Sequence, residues 1–161
     1  MNNNISEDST IHFVLVGHSK EHILFAVDYY SIKKMVIFTS DNLKEENIPF
    51  IEQLIEKNVE VLDEVSLDPF KKDSLQSMTR LILEKHSQYC VHENIDFISA
   101  LTGGTNLMTI SMALFALLKG TKCHYIVKSE TNELIELDFF QHLHELKNIA
   151  LMESAILETK L

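Results

Sequence analysis

Apolar residues follow two rhythms along this chain, and the rhythms alternate. Short continuous apolar runs recur: "IHFVLVG" from Ile11, "KKMVIFTS" from Lys33 and "NIDFISALTG" from Asn94. Each is about the length of a strand, and each ends in glycine or hydroxyl residues. A strand buried on both faces of a sheet reads this way, without polar alternation. Between them lie stretches with apolar positions three and four apart. Ile23, Leu24, Val27 and Tyr30 form one set, and Ile48, Ile51, Leu54 and Ile55 another. These predict helices with one buried face. Ser19 is a candidate cap for the first, and Pro49 is expected in the first turn of the second, where a missing N–H costs little.

"VEVLDEVS" alternates Val59, Val61 and Val65 with charged residues, as suits the edge of a sheet. A long helical stretch follows, opened by Asp68-Pro69. "TNLMTISMALFALLKG" is a helix closed by Gly120. "TKCHYIVKSE" and "ELIELDFF" are two strands around Thr131 and Asn132, too close for a helical crossover. They predict a hairpin with an antiparallel last strand. "QHLHELKNIALMESAILETKL" closes the sequence as an amphipathic helix.

The order β-α-β-α-β-α-β-α-β-β-α implies an α/β fold with helices on both faces of a sheet. Right-handed crossovers make a doubly wound, Rossmann-like sheet the economical arrangement. It is mostly parallel, in order 3-2-1-4-5-6 with strand 6 antiparallel, plus a C-terminal helix. The expected organisation is a flexible N-terminal tail over 1–10, one domain over 11–140 and the helix over 141–161.

Composition narrows the function. Lys and Arg number 14 against 24 Asp and Glu, a formal net charge of −10. Coating long DNA or RNA requires phosphate neutralisation by basic side chains, so direct DNA binding is not expected. A small phosphorylated guest is compatible, because backbone N–H groups can hold it whatever the outer charge. The longest apolar stretch, Leu107 to Leu118, falls short of the roughly 20 residues of a membrane span. The polar start "MNNNISEDST" is no signal peptide, and a cytoplasmic protein with no membrane partner is expected. Cys90 and Cys123, far apart in the sequence, are expected as two buried thiols rather than a disulfide.

In a doubly wound sheet the ligand crevice opens at the carboxyl ends of the strands, where strand order reverses. Here "GHSKEH" and "LTGGTN" face each other across that point. The chain has four glycines, and two of them, Gly103 and Gly104, are adjacent there. Bare backbone, the hydroxyls of Thr102 and Thr105 and a helix N-terminus together suit a phosphate or phosphodiester. A plain turn with Thr105 as N-cap is the competing account, and the placement opposite Gly17 favours the ligand. No G-x-G-x-x-G or G-x-x-x-x-G-K-[ST] is present. His18 and His22 have the spacing of metal ligands but no third partner, so no metal is expected. His142 and His144 read as solvated.

These residues resemble the CARF family, the CRISPR-associated Rossmann-fold domains. "VGHSKEHILFAV", "LTGGTNLMTISMALFAL" and "VKSETNELIELDFF" carry the resemblance, which spans about Ile11 to Phe140. It implies a domain that binds cyclic oligoadenylate, tetra- or hexa-adenylate, in type III CRISPR antiviral signalling, across a homodimer and without a cofactor. The ligand-binding positions it implies are Gly17, His18, Ser19, Thr102, Gly103, Gly104, Thr105 and Asn106, with Thr39 and Ser40 able to reach an adenine or ribose. A metal-independent ring nuclease, cleaving by the ribose 2′-hydroxyl, is the enzymatic alternative; His18, Ser19 and Asn106 are its candidate residues. Family members often have lysine where this chain has Asn106, which weakens that alternative by removing a fixed positive charge. A further alternative is the ligand-sensing fragment of a transcription regulator. Leu143, Leu146, Ile149, Ala150 and Ile156 give the last helix an apolar face for a dimer seam or a linker stub.

Overall fold

A computed structural model describes residues 9–91, 95–127, 131–139, 141–145 and 147–148. Its elements run β1 (Thr10–Val16), α1 (Glu21–Tyr30), β2 (Lys34–Thr39), α2 (Lys44–Glu56), β3 (Glu60–Ser66), α3 (Ser74–Tyr89), β4 (Asp96–Ala100), α4 (Asn106–Lys119), β5 (Lys122–Val127) and β6 (Glu133–Leu137). The six strands form one sheet in the order β3-β2-β1-β4-β5-β6. All neighbours are parallel except β5 and β6, where Tyr125 stands opposite Ile135. The doubly wound, Rossmann-like architecture expected from the sequence is the one observed.

Alternation along β1 divides the core. Ile11, Phe13 and Leu15 point to the side of α3 and α4, where they meet Met78, Ile82, Met112 and Phe115. Val14 and Val16 point the other way, into Ile23, Val27, Phe50 and Leu54 of α1 and α2. Phe13 anchors the first side: its ring lies 5.1 to 5.5 Å from those of Phe38, Phe97 and Phe115. Offset and edge-on aromatic contacts of this kind add to simple burial. β3 lies at the sheet edge, as its charged alternation implies, and its register with β2 shifts at Met35/Val36.

Local details correct the sequence reading. Helix α1 is preceded by Lys20 at its N-cap with no capping side chain, so Ser19 is not the cap. Helix α2 begins at Lys44, which puts Pro49 inside it rather than in its first turn. Its buried face is accordingly Asn47, Phe50 and Leu54, while Ile48 and Ile55 are exposed. Asn47 is buried because its amide is used: Nδ2 donates to Thr39 Oγ1 at 3.2 Å and to Glu64 Oε1 at 2.9 Å. Asp68-Pro69 forms a turn ahead of α3, with Asp68 Oδ1 accepting from the Phe70 N–H at 3.0 Å. Both cysteines are free thiols. Cys123 is buried as expected, but Cys90 is exposed at the C-cap of α3. Residues 141–145 and 147–148 are helical; Leu146, Ile149, Ala150 and Ile156 of the expected seam, and residues 1–8 of the expected tail, lie outside the described residues. No described helix is long and apolar enough to cross a membrane.

Candidate functional site

The reversal point falls between β1, whose neighbours are β2 and β4, and the loops that leave β1 and β4. The loop after β4 is shaped by backbone that only glycine takes easily. Gly103 has φ +110° and Gly104 φ +65°. A β-carbon on Gly103 would stand 2.3 Å from the Leu15 carbonyl oxygen and 2.8 Å from His22 Nε2. The diglycine is therefore wedged against the end of β1.

Hydroxyls pin this loop from three directions. Thr102 Oγ1 accepts from the Ile126 N–H at 2.7 Å, tying the loop to β5. Thr109 Oγ1 donates to the Gly103 carbonyl at 3.2 Å. Thr105 caps α4, its Oγ1 accepting from the Met108 N–H at 3.3 Å, so the capping role weighed from the sequence is filled. In Thr102 and Thr105 an oxygen lone pair is occupied while the O–H remains available as a donor. The backbone of α4 thus starts beside Gly104 with its first N–H groups pointing toward the loop, and the positive end of its dipole adds to them.

Across from it, a β-carbon on Gly17 would lie 3.1 Å from the Gly104 amide nitrogen, so the two loops touch through bare backbone. Beside that contact opens a cavity of about 270 Å³. Gly17, His18 and Ser19 line it from the first loop, Thr102, Gly103 and Gly104 from the second. Sequence reasoning missed four further lining residues: Glu21, His22, Ile126 and Asn132. Asn132 follows from the hairpin, whose turn lies beyond the strand ends; His22 depended on the phase of α1.

Thr39, Ser40, Thr105 and Asn106 do not line the cavity. Thr39 is fully buried, and its hydroxyl donates to the Val16 carbonyl at 3.1 Å while accepting from Asn47. It locks the end of β2 to β1. His18 turns outward, with Nδ1 3.2 Å from Glu46 Oε2, and Lys20 Nζ donates to the Glu46 carbonyl at 3.0 Å. Among the described residues no group of three His, Cys, Asp or Glu has metal-holding geometry.

Behind the cavity lies a buried polar file. His124 on β5 stands 5.2 Å ring to ring from Tyr30, which stands 5.5 Å from His12 on β1. Burial, and for His124 the neighbouring His22, lowers its pKa to about 4; burial and His124 lower that of His12 to about 3. Both imidazoles are therefore neutral near pH 7. Tyr30 Oη donates to Glu136 Oε1 at 2.9 Å, and burial and that carboxylate raise the phenol's pKa.

No family model matches the chain, and no curated protein is similar to it in sequence. Its fold, however, is found in solved structures. Can2 from Sulfobacillus thermosulfidooxidans, solved in complex with cyclic tetra-adenylate, superposes with a TM-score of 0.62 at 18% identity over 81% of this chain and 35% of Can2. Enterococcus italicus Csm6, bound to cyclic hexa-2′-fluoro-hexa-dAMP, matches with a TM-score of 0.62 at 15% identity, over 74% of this chain and 34% of Csm6. A type III CRISPR defence DNA nuclease activated by cyclic oligoadenylate matches with a TM-score of 0.60 at 18% identity, over 80% of this chain and 20% of the nuclease. The chain thus spans between a fifth and about a third of the length of these proteins. It has their fold.

Proposed function

We propose that this chain is a CARF-type sensor domain that binds a cyclic oligoadenylate of type III CRISPR signalling across a homodimer. The observation that carries the reading is the close approach of Gly17 to Gly104 beside a cavity to which three glycines contribute at the sheet's reversal point. Can2, solved with cyclic tetra-adenylate, and Csm6, solved with a cyclic hexa-dAMP analogue, contain a fold of the same kind.

Size supports a second copy. A cavity of about 270 Å³ is small even for one drug-sized molecule, which takes roughly 300–1,000 Å³. A ring of four or six adenylates needs several times more, and a twofold pair of such cavities matches a symmetric ring. Helix α4, which starts at the diglycine loop, presents Ile110, Leu114 and Leu118 outward on successive turns, where a solvated helix would be polar. Its only charged residue is Lys119, so the helix itself brings no carboxylate to a contact between copies of this acidic chain.

The reading is of a sensor rather than a ring nuclease. Among the described residues neither a lysine, an arginine nor Asn106 lines the cavity, so none of them sets a fixed positive charge beside a ring phosphate. A cytoplasmic location belongs to the same reading. The test is a thermal-shift screen with cyclic tetra- and hexa-adenylate and their linear forms, followed by recovery of the ligand. One ring is expected to raise the melting temperature and to be recovered intact after hours without metal. Linear products would make the chain a ring nuclease; no shift with any ring would overturn the reading.

A further inference from the structure

The cavity suits an anion, yet none of its described lining residues is a lysine or arginine. Gly17, Gly103 and Gly104 give backbone, Ser19 a hydroxyl and Asn132 an amide, while Glu21 adds a carboxylate that opposes a negative guest. The first loop does carry a lysine and a histidine, but both lean away. His18 pairs with Glu46 on α2, and Lys20 donates to the carbonyl of the same residue.

Among the described lining residues one further group can take a positive charge. His22, the second residue of α1, lines the cavity and lies beneath the diglycine, with Nε2 2.8 Å from where a Gly103 β-carbon would stand. We propose that His22 is the cation of this site: it takes up a proton as a phosphodiester settles on the Gly103–Gly104 backbone. This rests on the reading of the cavity as a cyclic-oligoadenylate site.

The surroundings make the charge conditional on the ligand. His22 sits in the first turn of α1, near the positive end of that helix, which opposes a further positive charge there. An anion a few ångströms away reverses the balance, because opposite charge favours the protonated form. The described ionisable groups around it include Glu21 and His18 on its own segment and His124 on β5, with Tyr30 behind His124. Among the described residues, the loop after β4 and the hairpin line the cavity with Thr102, Gly103, Gly104 and Asn132, none of them charged. His124 and His12 titrate well below pH 6, so between pH 6 and 8 they are spectators.

His22 is a positioning residue in this role, and the test reads protons as well as affinity. Titration calorimetry with cyclic tetra-adenylate and cyclic hexa-adenylate, in two buffers of different ionisation enthalpy, measures proton uptake at pH 7. Wild type is expected to take up a substantial fraction of a proton per His22 and to bind about tenfold more tightly at pH 6 than at pH 8. His22→Gln should lose both the uptake and the pH slope, and His18→Gln should keep them. Binding of a ring by wild type with no uptake and no slope overturns the role of His22, whatever the variants do, while leaving the site intact. A slope that persists in a folded His22→Gln overturns it too. Failure of either ring to bind at any pH removes the site itself and this inference with it.

Discussion

Gly17 and Gly104, 87 positions apart, meet through backbone alone: a β-carbon on Gly17 would sit 3.1 Å from the Gly104 amide nitrogen and 3.5 Å from its α-carbon. The atoms in the way belong to main chain, which cannot swing aside as a side-chain tip does. Gly17→Ala should therefore part the loops by a few tenths of an ångström and press on one of the donors offered to the ligand. The expected outcome is an intact fold with ring affinity reduced about tenfold, near 1.4 kcal/mol. Calorimetry against cyclic tetra- and hexa-adenylate checks it; unchanged affinity for a ring that binds wild type would mean that the contact is not part of the site.

The two glycines of the loop should behave unequally. At Gly103 a side chain meets the Leu15 carbonyl at 2.3 Å with φ at +110°, so Gly103→Ala should cost several kcal/mol, on the order of the largest single-residue effects. At Gly104 the neighbours are the tip atoms Sδ and Cε of Met108, at 3.1 to 3.2 Å, and φ is +65°. A flexible thioether can move, and the left-handed conformation costs a side chain about 1 kcal/mol. Gly104→Ala should unfold only slightly earlier in denaturant than wild type, with Gly103→Ala far behind.

Thr102 ties the ligand loop to β5 through the Ile126 N–H. Thr102→Val keeps the shape and removes the acceptor, leaving a part-buried amide unpaired. A loss of about 1–3 kcal/mol in unfolding free energy is expected. Thr102→Ser, which retains the oxygen, should recover most of it.

How far the sequence carries this picture depends on which physical signal is asked. Strand order was readable because buried parallel strands are continuous apolar runs, and because the short span from Val127 to Glu133 leaves no room for a crossover helix. The meeting of Gly17 with the diglycine followed from topology alone. What did not follow was set by side-chain direction. Thr39 ends β2 at the right end of the sheet, yet its hydroxyl points inward to Val16. His22 enters the cavity because α1 starts at Glu21 without a side-chain cap, a phase that no residue pattern announces. Asn47 reads as a polar surface residue and is fully buried, its Nδ2 donating to Thr39 and Glu64.

The outward face of α4 gives the expected homodimer a test of its own. Ile110 is 48% exposed and Leu118 63%, both on the helix that begins at the diglycine loop. Ile110→Glu places a charge in that face without touching the core, so thermal stability of the isolated chain should change little. Sedimentation should show wild type as a dimer and the variant shifted to monomer, with ring binding weakened in parallel. A variant that remains dimeric with full affinity would move the twofold surface elsewhere on the molecule.

Acid should loosen the fold through the two neutral histidines. His12 and His124 have pKa values near 3 and 4 when folded, both lowered chiefly by burial, against 6.5 when exposed. Above about pH 7.5 neither state binds a proton at these positions, and they leave stability independent of pH. Below 6.5 the unfolded chain protonates them and the folded chain does not, so stability falls as pH falls, down to the folded values. Each histidine contributes a slope of up to about 1.4 kcal/mol per pH unit. Between pH 7 and 5.5 the pair should therefore cost roughly 2–3 kcal/mol, a sizeable share of the 5–15 kcal/mol typical of a domain. Denaturant unfolding across that range checks it. In His124→Phe, whose ring can still pack against Tyr30, about half of this acid slope should disappear; an unchanged slope would place the acid sensitivity outside the His12–Tyr30–His124 file.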